Sequence, residues 1–86
     1  VAKYRRVRSS GHVFVFKYDD TNPPILHIWV RHLTTPGDAV ATFFEGKTVW
    51  NDAHRRFESY TPSHGLYWYW RDEAEKVVMV ITCFRR

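Results

Sequence analysis

The sequence predicts an α+β domain: two short N-terminal helices packed on a twisted antiparallel β-sheet of about four to five strands. Three observations lead there. Apolar residues at positions 26, 29, 30 and 33 follow a helical stripe, and Thr35-Pro36-Gly37-Asp38 has the form of a helix start. After Gly46 the chain turns to β-branched and aromatic residues separated by turn formers.

The elements follow in order. Ser9-Ser10-Gly11 is a turn, and residues 12–18 read as a strand, with Val13, Val15, Phe14 and Phe16 suited to a pleated surface. The run Asp19-Asp20-Thr21-Asn22-Pro23-Pro24 ends it. Asn22 can cap a helix whose first turn holds the two prolines. That helix turns Leu26, Trp29, Val30 and Leu33 inward and sets His27 and Arg31, four residues apart, on another face, with His32 nearer the boundary. An extended reading of residues 25–30 stays open and separates His27 and Arg31 from His32. In the second helix Thr35 caps, Pro36 takes the first position, and Asp38 is the acidic partner of a capping box. Val40, Phe43 and Phe44 form its apolar face, and Gly46 suits a left-handed residue after its end. Residues 47–50 and 55–60 are strands, 61–65 a loop, and 66–71 with 77–84 a hairpin whose last strand is apolar on both faces, as a central strand requires.

At 86 residues, with 44% apolar and 17% aromatic content, the chain suits one folded domain. Residues 1–11 are open to being a remnant of a longer protein, and a first residue of Val suggests processing or excision. The longest apolar run, residues 77–81, is too short to cross a bilayer, and no signal peptide is visible. The lone Cys83 reads as a buried, inert thiol. A net charge of +4, with arginines at 5, 6, 8, 55, 56, 85 and 86, favours a polyanionic partner, RNA or an acidic protein.

The densest chemistry lies in His27-Ile28-Trp29-Val30-Arg31-His32. Imidazoles that titrate near neutrality, beside a guanidinium that keeps its charge, suit acid/base work on an anionic substrate. Against this stands an exposed His/Arg pair with no task, and for His32 a role at the helix end. A second candidate surface is Arg55, Arg56, Tyr60, His64 and Tyr67: alternation gives each face of the strand an arginine, tyrosines can stack on bases, and the loop histidine can exchange protons. An ordinary solvated strand and turn is the competing account. Trp68, Tyr69 and Trp70 read mainly as core. No zinc or hydrolase motif is present, and His27 and His32, five apart, fit one helix face poorly; no metal or cofactor is expected.

The series His-x-x-x-Arg, Thr-Pro-x-Asp-Ala and a closing Ile-Thr-x-Phe strand, here His27 and Arg31, residues 35–39 and residues 81–84, resembles the small ribonuclease-toxin superfamily of barnase-like, EndoU-like, colicin-type and RelE-type domains. The resemblance covers about residues 24–84. It implies metal-independent cleavage of tRNA, ribosomal or messenger RNA, with His27, Arg31 and Thr82 as the matching residues; the need of such a reaction for both a base and an acid adds His32 to the catalytic set. It also implies an acidic immunity or antitoxin protein as partner, and a delivered effector acting in the target-cell cytoplasm or a cytoplasmic toxin. Thr82 is otherwise a β-branched filler. A noncatalytic basic RNA-binding module and a protein-interaction domain are the alternatives.

Overall fold

A computed structural model describes residues 3–86. In chain order it contains β1 (Tyr4–Ser9), β2 (His12–Lys17), α1 (His27–His32), α2 (Pro36–Glu45), β3 (Lys47–Asn51), β4 (Arg56–Tyr60), β5 (His64–Asp72) and β6 (Val77–Arg85). The six strands form one sheet in the order β1-β2-β6-β5-β4-β3. This corrects the expected architecture in three ways: there are six strands, the sheet is mixed because β2 and β6 run parallel, and the helices lie mid-chain.

Each departure has a physical cause. The unexpected strand β1 carries arginines at 5, 6 and 8, which hide the apolar alternation. As an edge strand it buries little, and Val7 alone packs on the core. The rest of the 1–11 segment, save residues 1 and 2, which lie outside the described residues, is therefore built into the sheet through the pairs Tyr4↔Lys17 to Ser9↔His12. Parallel pairing arises because β6, the end of the β3-to-β6 meander, closes against β2, whose chain left the sheet through the helices. β6 is thus central, matching its two apolar faces.

Helix α1 begins at His27, not at the prolines. Tyr18 bridges Leu26, and the Asp19 amide donates to the Ile25 carbonyl at 2.7 Å, so residues 25 and 26 are still extended. The inward stripe is also corrected. Leu26 and Ile28 are buried, whereas Trp29, Val30 and Leu33 are exposed. A six-residue helix has too few turns for a stripe to act, and its contacts with β6 and β2 select the buried residues. Its end is tied to the sheet by buried Thr34, whose hydroxyl donates to the Cys83 carbonyl at 2.8 Å, past the last β2 to β6 pair, Phe16↔Val80.

Helix α2 has the capping box that the sequence suggests: Thr35 accepts from the Asp38 amide and Asp38 from the Thr35 amide. Its buried residues are Ala39 and Thr42; Val40 and Phe43 are half-buried, and Phe44 is exposed. Gly46 is not left-handed (φ −79°, ψ 163°). It is needed for close approach, since a Cβ there would lie 2.6 Å from the Thr42 carbonyl oxygen and 3.0 Å from that of Tyr60.

Strand register divides the sheet into two faces. Phe14, Phe16, Val78, Val80, Cys83, Leu66, Trp68 and Phe57 share the face on which Phe43 of α2 packs, its ring 5.1 Å from Phe14 and 4.8 Å from Trp68. Trp68 is core and donates to the Ser59 hydroxyl at 2.9 Å. The other face carries Arg6, Val15, Met79, Thr82, Tyr67, Tyr69 and Glu58.

Candidate functional site

The tight loop from 19 to 26 carries the first site. Thr21 accepts from the Ile25 amide and donates to the Pro23 carbonyl, both at 2.9 Å, which folds Asp19 back against α1. There Asp19 Oδ1 lies 3.1 Å from His27 Nδ1, and Asp19 Oδ2 lies 3.6 Å from Arg31 Nε. The hydrogen bond from His27 holds the Asp19 carboxyl below its ordinary range against the cost of burial, and the charges of His27, Arg31 and Lys17 add to this. An ionised carboxylate only accepts, so the His27 nitrogen facing it, Nδ1, is the one that carries a proton, and Nε2 is the nitrogen left for exchange with a substrate. His27 is partly open to solvent and Arg31 largely so, with 29% and 64% of their side chains exposed. This gives a proton-exchanging group beside a fixed cation.

The helical spacing brought His27 and Arg31 together, but Asp19 was missed. Its position in Asp19-Asp20-Thr21-Asn22 reads only as the end of a strand, and nothing in sequence links it to a residue eight positions later. His32 lies elsewhere: its ring centroid is 6.2 Å from that of Phe84. Thr82 stands opposite Tyr67 on β5, and its buried Oγ1 has no hydrogen-bond partner, the one such side-chain atom among the described residues. It does not use its hydroxyl on the backbone, as a strand filler would.

The second candidate surface divides. Arg56, Tyr60 and Tyr67 gather around Glu58, which sequence reading did not single out. Tyr60 Oη donates to Glu58 Oε1 at 2.7 Å, while Asn51 Nδ2 and Arg56 Nε donate to Oε2 at 2.8 and 2.9 Å. Arg56 also lies over the Tyr67 ring, 3.8 Å from its centroid. Arg55, by contrast, occupies the exposed turn at φ 55°. His64 belongs to the opposite face: its Nδ1 meets Ser63 Oγ at 2.8 Å and its Nε2 is 4.0 Å from Asp38 Oδ2 of α2. It lines a separate groove of about 700 Å³ with Asp38, Lys47 and Arg86. Desolvation raises the buried Cys83 thiol to about 11, which keeps it protonated and unreactive at neutral pH.

The Glu58 hub makes a prediction. The hydrogen bond from Tyr60, then that from Asn51, and the pair with Arg56 depress its carboxyl. Asp19 is depressed too, so both stabilise the fold fully above the ordinary carboxylate range and lose that contribution as pH falls through their lowered values. Glu58→Gln is expected to cost about 2 kcal/mol at pH 7 and to flatten the acid limb. Urea denaturation between pH 7 and 2 measures both; parallel curves for the two proteins would remove Glu58 from the account.

No protein-family model, no curated protein and no solved structure matches this chain, so its functional reading rests on the residues themselves.

Proposed function

We propose that this chain is a ribonuclease domain of toxin type, which cleaves RNA by attack of a ribose 2′-hydroxyl on the adjacent phosphate. The carrying observation is the Asp19 carboxylate 3.1 Å from His27 Nδ1, which orients an imidazole with a free Nε2 beside Arg31. The reaction needs a base for the 2′-hydroxyl, an acid for the leaving 5′-oxygen, and positive charge on the transition state. His27 exchanges the proton at Nε2. Arg31 keeps terminal N–H donors for nonbridging phosphate oxygens, because its contact with Asp19 runs through Nε. His32, against Phe84 and apart from the Asp19–His27 pair, is the second candidate for proton exchange, and the buried Thr82 hydroxyl has no partner among the described residues. Its partner, as a toxin, is an acidic inhibitor protein that covers the basic surface.

Incubation of the chain with total RNA and tRNA in excess chelator tests this reading. Discrete fragments support it; intact RNA from folded protein overturns it. Thr82→Val sharpens the test, since it removes the hydroxyl and keeps the shape. Because that hydroxyl is buried and unpartnered, the variant is expected to be more stable by about 1 kcal/mol yet slower in cleavage. Unchanged cleavage would return Thr82 to packing. The second reading, a noncatalytic RNA-binding module, is favoured by Arg56 stacked on Tyr67, and it predicts salt-dependent binding that leaves RNA intact.

A further inference from the structure

We infer that the sheet face away from α2 is a binding track for unpaired RNA, on which Tyr69 and the Arg71/Tyr4 pair hold nucleobases and phosphates outside the His27 centre. The inference takes the nature of its ligand from the RNA-directed reading above and adds which form of RNA is bound, and where.

Three observations carry it. First, two tyrosines on this face have an arginine against their rings: Arg56 lies 3.8 Å from the Tyr67 centroid and Arg71 lies 5.8 Å from that of Tyr4. Tyr4 pairs with Lys17 on β1 while Arg71 comes from β5, two strands beyond β2, so their contact reaches across β2 and β6. Beneath this reach Val15 is fully buried although α2 lies on the other face. Second, Tyr69, aligned with Met79, remains 41% exposed and among the described residues has no aromatic neighbour or cation over its ring, which leaves a π-surface for a base. Third, the charge is one-sided. Ladder positions on this face hold Arg6, Arg8, Lys17 and Arg56 against Glu58 and Asp72, and Glu58 is already bonded by Arg56.

Flat rings beside guanidinium groups suit bases that are free to leave a stack, and cations between them track the phosphates. A broad sheet cannot enter the deep, narrow groove of an A-form duplex, so paired RNA offers it only backbone charge. The face is continuous with α1: His32 approaches Phe84, whose ring is 5.0 Å from Tyr67, and Thr82 stands opposite Tyr67. At the other end of the face Tyr4 and Lys17 line one groove with Asp19, so a strand held on the sheet there runs toward the proposed centre.

The test measures binding by fluorescence anisotropy, using a labelled 2′-O-methyl RNA of twelve nucleotides, which cannot be cleaved through its 2′ position, alone and annealed to its complement. The single strand is expected to bind about tenfold or more tightly than the duplex. Tyr69→Ala and Arg71→Ala should each weaken it about tenfold, while Tyr69→Phe, which keeps the ring, binds as the wild type. Equal affinity for the duplex, wild-type binding by Tyr69→Ala, or no binding at low salt by folded protein overturns the track. Failure of the cleavage reading is separable: single-strand binding that depends on Tyr69, with total RNA left intact, supports the track and removes the ribonuclease.

Discussion

His27→Ala is expected to lower RNA cleavage on the order of 10³-fold while leaving RNA binding and thermal stability close to wild type. A positioned acid or base contributes roughly 10² to 10⁴ in rate, and this side chain lies at a partly open helix start rather than in the core. Asp19→Asn tests the same centre without touching the imidazole. The amide no longer demands a proton on Nδ1, so neutral His27 is free to take the other tautomer, and a loss of about 10²-fold is expected. Arg31→Lys keeps charge and loses the planar set of donors, and should reduce turnover more than affinity. Initial rates on one RNA in chelator, with circular dichroism on each variant, decide the matter. If His27→Ala cleaves normally the assignment is wrong; if only Asp19→Asn does, the Asp19 contact merely braces the loop.

Phe14→Ala is expected to cost about 3–5 kcal/mol, the largest single loss of stability we anticipate. Phe14 is fully buried, pairs with Val78, and meets the rings of Phe43 and Phe44 at 5.1 and 5.9 Å. Its removal leaves a cavity between β2 and α2, and against a usual domain stability of about 5–15 kcal/mol the variant is marginal. The control is Phe44→Ala. Phe44 belongs to the apolar face that α2 shows in sequence, yet it is 45% exposed, and its loss should cost under about 1.5 kcal/mol. Urea denaturation followed by tryptophan fluorescence compares them; equal costs would contradict the placement of α2 on the Phe14 face.

These contrasts separate what lies in local sequence from what does not. Local sequence determined the elements whose signals are short in range and strong: the Thr35/Asp38 capping box, the β5–β6 hairpin with its doubly apolar last strand, and the approach of His27 to Arg31 one helical turn apart. Tertiary structure decided whatever depends on partners distant in the chain. Edge strand β1 has too little apolar alternation to declare itself and exists because β2 offers it a ladder. The buried side of α1 is chosen by β6 and β2, which expose Trp29 and Leu33 despite their helical spacing. Gly46 answers to the Thr42 and Tyr60 carbonyls rather than to its own φ. Asp19 joins His27, and Glu58 gathers Asn51, Arg56 and Tyr60, through a loop and a register that no periodicity records. Periodicity reports which faces are apolar along one element. Which face meets another element, and which carboxylate meets which histidine, follows only when the strands pair and the loops close.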